Sequence, residues 1–452
     1  MSEPRGRVLP RKFGILLAAV PLVAVLLADG ALLARRSTPG ADGAKPSTTN
    51  APRASRALDD AARVRTEAIR GLLARRSDAI LHHDRAEWVG TLDPRSRPFR
   101  RQQLATFANV RAVPLASWSY TFDPSDPQPR NHATRRYHAP VWAPSTFALH
   151  YRLRGFDQQP TNLPQFPTFV RRDGQWYIAS FDDFVRAGET SSRELWDFGP
   201  VVVVRRPRVL VLGHPGEEST MQLLADQAVA DIPRVTAVWG SRWARRVVLL
   251  VPTSQHELSK VVDDYGNLDH IAAVATAEVQ THPGRPDPVG DRVGINPDNW
   301  PKLSALGRQI VLTHELTHVA TRSVTGAAMP TWLAEGFADY VGYLNSGIPA
   351  GFAAQELAAD VRGGHVPSAL PGDREFDGDS KNLSQAYEGA WLACRLIAER
   401  HGQQALVRFY RAVGTSSASQ EDALAAASAR VLHQPFQRFT REWRSYLRSE
   451  LA

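Results

Sequence analysis

A chain of 452 residues exceeds the size at which one hydrophobic core keeps growing, so two folded domains plus some unfolded sequence are expected. Its 43% hydrophobic content is that of globular protein, and its formal charge of +8 is carried by scattered side chains, nearly all arginine, which suits an anionic envelope surface; no nucleic-acid module is present and no nucleic-acid partner is expected. A single cysteine, Cys394, excludes an intrachain disulfide and a cysteine-built zinc site.

Residues 13 to 34, FGILLAAVPLVAVLLADGALLA, are apolar except for Asp29, and about 20 such residues span a bilayer as a helix. Arg5, Arg7, Arg11 and Lys12 precede the run and only Arg35 and Arg36 follow closely, which makes residues 1 to 12 a cytoplasmic tail and the rest of the chain extracytoplasmic. Ala28-Asp29-Gly30 offers a competing signal-peptidase site, after which the protein would be secreted. Leu32 and Leu33 carry the apolar run past that site and favour an uncleaved, single-pass signal anchor in the cell membrane. Residues 35 to 56, rich in Ser, Thr, Pro, Gly and Ala, read as a flexible linker.

Residues 57 to 199 read as an α+β domain. Apolar positions Ile69, Leu72, Leu73 and Ile80 among many charges predict an amphipathic helix or helix pair from Leu58 to Trp88. Trp118, Tyr120 and Phe122, then Phe147, Leu149, Tyr151 and Leu153, alternate with small or polar residues in the period of a half-buried strand. Asp173-Gly174 marks a tight hairpin within Phe169 to Ser180. Helix first and antiparallel sheet second resembles the NTF2-like group in element order. No catalytic set is visible here.

Residues 200 to 452 read as a second domain. The valine-rich runs Val201 to Val204, Val209 to Leu212 and Val247 to Val251 predict buried strands, with a helix from Glu217 to Ala230 between them; from Ser304 onward helices dominate. In His314-Glu315-Leu316-Thr317-His318 the two histidines are four apart, hence on one face of a helix and able to share a metal ion, while Glu315 stands beside them as a base for water. Leu312, Leu316 and Val319 form an apolar stripe on another face. After the turn Thr325 to Pro330, a second helix sets Glu335 and Asp339 four apart. Glu335 supplies a third ligand, and Asp339 can accept a hydrogen bond from the other nitrogen of a zinc histidine, His314 in the first place. Three protein ligands leave a fourth position open, the mark of a catalytic site.

HELTH followed by WLAEGFADY resembles the gluzincin metallopeptidases and is similar to the M1-like group called the peptidase MA family. The likeness covers roughly residues 201 to 402 and its motifs occupy His314 to Tyr340. It implies a metallopeptidase domain of mixed sheet followed by helices, one zinc ion per chain, and a sheet edge that holds an extended peptide. Arg292-Val293-Gly294-Ile295-Asn296 is the candidate edge, with Val293, Gly294 and Ile295 facing substrate. Tyr387 lies in a segment that resembles the helix donating a tyrosine to the oxyanion in related enzymes; its helical spacing with Trp391 and Cys394 equally predicts core packing. The expected function is a membrane-anchored zinc peptidase acting on peptide or protein in the cell envelope, the alternative being a catalytically silent zinc-containing scaffold there.

Overall fold

The computed structural model describes residues 51–126, 132–262, 268–282 and 285–452. The expected anchor, residues 13 to 34, lies outside the described residues, as does most of the linker; among the described residues no helix is long and apolar enough to cross a membrane.

The described chain begins with a long helix, α1 (Ala51–His82), so residues 51 to 56, expected as linker, are helical. Pro52 falls in the first turn, where its missing N–H costs nothing, and the alanines and arginines after it favour helix. Asp84 caps α2 (Arg85–Gly90) by accepting from the Ala86 and Glu87 amides, and α3 (Arg97–Asn109) follows. Six strands come next: β1 (Leu115–Phe122), β2 (Val141–Trp142), β3 (Phe147–Leu153), β4 (Thr161–Pro164), β5 (Thr168–Arg172) and β6 (Gln175–Ser180). They form two antiparallel sheets, ordered β1-β3-β4 and β2-β5-β6. Along β3 the residues Phe147, Leu149, Tyr151 and Leu153 are buried in strict alternation, as their spacing predicts. Asp173 and Gly174 both take positive φ (49° and 84°) and close the hairpin β5–β6.

The second half opens with β7 (Val202–Arg206), β8 (Val209–Gly213), α4 (Glu218–Trp239), β9 (Val247–Val251), α5 (Gln255–Val261), β10 (Ala273–His282) and β11 (Arg285–Ile295). The strands make one five-stranded sheet ordered β10-β11-β9-β8-β7, in which β8, β9 and β11 run parallel and the outer strands antiparallel. The rest is helical: α6 (Ala305–Thr321), α7 (Thr331–Tyr343), α8 (Ala350–Ala353), α9 (Gln355–Arg362), α10 (Leu383–His401), α11 (Gln403–Gly414), α12 (Gln420–Ala427) and α13 (Phe436–Leu451).

This topology corrects one expectation. Gly294 pairs with Val274 of β10 on one side and with Leu250 of β9 on the other, so Val293, Gly294 and Ile295 sit inside the sheet and do not form its edge. The outer place belongs to β10. The pattern within a strand does not tell whether a neighbour pairs with each of its edges; here the outer neighbour is β10, the strand just before it in the chain, through Ala273, Val274 and Ala275.

The two faces of the sheet serve two cores. Val209, Val211, Val247, Leu249 and Val251 join the large helical core that includes Leu312, Leu316, Leu333, Phe337 and Tyr410. Their alternate neighbours Leu210, Leu212, Val248 and Leu250 join Ile69, Leu72, Tyr151 and Trp196 of the first domain. A boundary at residue 199 therefore separates secondary structure but not core: the first domain is the layer that covers the sheet's second face.

Candidate metal centre

Ser304 starts α6 by accepting from the Gly307 amide. The helix packs against α4, α7 and β10, and every residue from Ile310 to Thr321 is buried. The expected stripe of Leu312, Leu316 and Val319 is thus part of a helix with no solvent face over these turns, and the polar residues among them must find partners inside. His314 and His318, one turn apart, stand with ring centroids 4.6 Å apart at 72°.

The turn after α6 returns the chain as α7, which carries Glu335 and Asp339 toward the histidines. Two glycines let it close in. A Cβ on Gly336 would lie 2.3 Å from the Ala390 carbonyl oxygen of α10, and one on Gly342 would lie 2.9 Å from the Ile310 carbonyl oxygen of α6. Backbones meet at both points only because no side chain intervenes.

The resulting triangle of donor atoms is small. His314 Nε2 and His318 Nε2 are 2.9 Å apart, and Glu335 Oε2 lies 3.4 Å from the first and 3.5 Å from the second. Three ligands placed about 2.05 Å from a tetrahedral zinc ion would be separated by about 3.3 Å, so the donor set fits that ion in type and size. Two imidazoles and one carboxylate so close are the one such cluster among the described residues. Asp339 Oδ1 accepts from His314 Nδ1 at 2.8 Å. The Nδ1 proton is then held toward Asp339, and Nε2 is the atom turned into the triangle, where a metal ion would replace the second proton that the surrounding carboxylates favour.

Charge at the centre favours a cation. Burial works against a positive His314, yet Asp339 at contact distance, with Glu335 and Glu315 nearby, pushes its pKa up to about 10. Burial drives the His318 imidazole down, so it is a neutral donor. For Glu335, burial is outweighed by the two histidines, which hold its carboxylate below the usual range. Glu315 is raised to about 8 by burial and by Glu335. Neither Glu315 oxygen has a hydrogen-bond partner of normal geometry; the Ala275 amide of β10 offers only a weak contact that favours the ionised form. A fully buried carboxylate left in this state beside three metal-type donors is a group placed for a partner that enters the site.

Tyr387 is buried on α10 with its ring edge-on to Phe376 at 5.1 Å. Cys394 is buried in the helical core, where desolvation raises its thiol pKa well above the ordinary value. His214, isolated in sequence, is clasped between the Pro200 carbonyl and the Glu257 carboxylate. Sequence reasoning missed Arg322, directly after α6. Its Nε donates to Asp291 at 2.7 Å and its Nη2 to the Ala275 carbonyl at 3.0 Å. Neither partner is near it in the chain, so no spacing could have disclosed the role.

No family model matches the chain, and no curated protein matches it. Among solved structures, the M1 zinc metallopeptidase from Deinococcus radiodurans aligns with TM-score 0.31 at 16% identity, covering 69% of this chain and 61% of that one. A mutant of that enzyme bound to a Tyr-Ser-Ala substrate aligns with TM-score 0.29 at 13% identity over 69% and 61%. A mutant of a two-domain M1 zinc metallopeptidase bound to L-tryptophan gives 0.31 at 13% over 68% and 60%. The chain spans about three-fifths of the length of those structures. Likeness of this degree carries no weight on function.

Proposed function

We propose that this chain is a zinc-dependent peptidase that hydrolyses peptide bonds in the cell envelope, held to the membrane by its N-terminal apolar run with the metal centre on the extracytoplasmic side. The observation that carries the proposal is the convergence of His314, His318 and Glu335 into one buried triangle with the Glu315 carboxylate beside it. Those three residues would hold the ion. When bound, zinc supplies a Lewis acid for the scissile carbonyl and acidifies water in the site.

The protein's own groups supply the rest. Asp339 keeps the His314 proton on Nδ1 and so keeps Nε2 free to ligate. Glu315 takes the proton of the attacking water and returns it to the leaving nitrogen as the peptide bond breaks. Burial of the three carboxylates and two imidazoles keeps bulk water from competing for these protons. β10 pairs with β11 alone among the described strands, and its outer edge beside α6 is where an extended peptide would add main-chain hydrogen bonds.

Glu315→Gln tests the proposal. The variant is expected to keep one zinc per chain by elemental analysis while hydrolysis of dye-labelled casein falls by about 10²–10⁴-fold. Equal zinc and equal cleavage in both proteins would refute the role of Glu315, and stoichiometric zinc with no cleavage of any envelope protein by either would favour a scaffold.

A further inference from the structure

Two adjacent residues of β11 reach in opposite directions. Arg292, buried, forms a two-pronged ion pair with Asp157 of the first domain, Nη1 to Oδ1 and Nη2 to Oδ2 both at 2.8 Å. Asp291 turns to the other face and accepts from Arg322 at the end of α6. That alternation is what a strand imposes on successive side chains. Arg322 in turn holds the Ala275 carbonyl of β10, one residue whose amide lies toward Glu315. The first domain also seats the strand directly: Gly290 has φ of 67°, and a Cβ there would stand 2.6 Å from the Thr161 hydroxyl of β4. Asp157 is itself fixed, because its Oδ2 accepts from the Leu153 amide.

We infer that the first domain is a positioning device for the peptidase site, acting through Asp157, Arg292, Asp291 and Arg322 to set the place of β10 beside Glu315. The inference rests on the proposed peptidase reading, and these four are positioning residues that touch neither metal nor substrate. A bidentate arginine pair suits the task because its planar fork fixes direction as well as distance. Its partner across the sheet converts that fixed direction into a fixed edge strand.

The test is amide hydrogen exchange on the full zinc-loaded chain, read at residues 273 to 277 of β10, with casein cleavage measured in parallel. Asp157→Asn strands a buried guanidinium, so the double variant Asp157→Asn/Arg292→Gln, which removes both charges of the pair, is made as well. In either variant, exchange at 273 to 277 is expected to rise at least about tenfold while α10 and α13 keep wild-type protection and zinc stays at one per chain. Cleavage is expected to fall about tenfold through kcat, and Asp157→Glu is expected to recover part of it. Unchanged protection of β10 in the double variant, or an equal rise across α1, α10 and α13 that marks general loosening, would overturn the inference. Failure of the peptidase reading shows separately, as cleavage that survives Glu315→Gln.

Discussion

At the scale of single residues, the centre depends on where protons sit. Asp339→Asn keeps an oxygen that can accept from His314 Nδ1 but removes the charge that makes that nitrogen's proton secure. Zinc affinity is expected to fall by about 10–100-fold in competition with a chromophoric chelator, and an unchanged affinity would show that Asp339 does not tune the histidine. His314, His318, Glu335 and Asp339 were legible in the sequence because spacing of four on a helix means a shared face, and Glu315 because it stands next to His314; the structure brings them together. Arg322 and Asp157 were not. Their partners lie 31 and 135 residues away, and ion pairs across such gaps leave no local pattern.

At the scale of elements, α7 serves as a wedge whose fit is set by its glycines. Gly336→Ala puts a methyl group against the α10 backbone at Ala390, and the helices must part. A stability loss of about 1–3 kcal/mol is expected from the denaturant midpoint, together with weaker zinc binding. Gly71→Ala in α1 is the contrast: its nearest neighbour is the end of the Arg75 side chain at 3.9 Å, and a gain of about 0.4–1 kcal/mol is expected in the same assay. Equal midpoints for the two variants would show that the α7–α10 approach is looser than described. Periodicity disclosed β1, β3, the β5–β6 hairpin and the buried strands β8 and β9, whereas β7, expected as a buried strand, is only half-buried because it lies outermost in the sheet. It misplaced the sheet edge at Val293 to Ile295, because which strand is outermost depends on pairing and not on the pattern within a strand.

At the scale of the whole molecule, composition suggested two domains and the linker sequence suggested where they begin, but neither shows a shared core. Leu210, Leu212, Val248 and Leu250 are buried only while the first domain covers them. One cooperative heat-capacity peak is expected on thermal unfolding of the described chain, and a fragment beginning at residue 200 is expected to aggregate with that apolar face uncovered. Two well-separated peaks would mean that the halves fold independently.

The neighbouring charges of β11 have a consequence for how the sheet assembles. Sliding that strand by one position would exchange its faces. A slip in one direction would set Asp291 against Asp157 and Gly290 against Arg322, and a slip in the other would set Arg292 against Arg322 and Val293 against Asp157, so that either slip exchanges two attractive encounters for one repulsive one and one unpaired charge. The apolar side chains oppose the same slip, because it would put Gly290, Arg292 and Gly294 where Val289, Val293 and Ile295 belong. The two charged pairs therefore add a penalty against a slipped β11, and with it against a displaced β10 beside the metal centre.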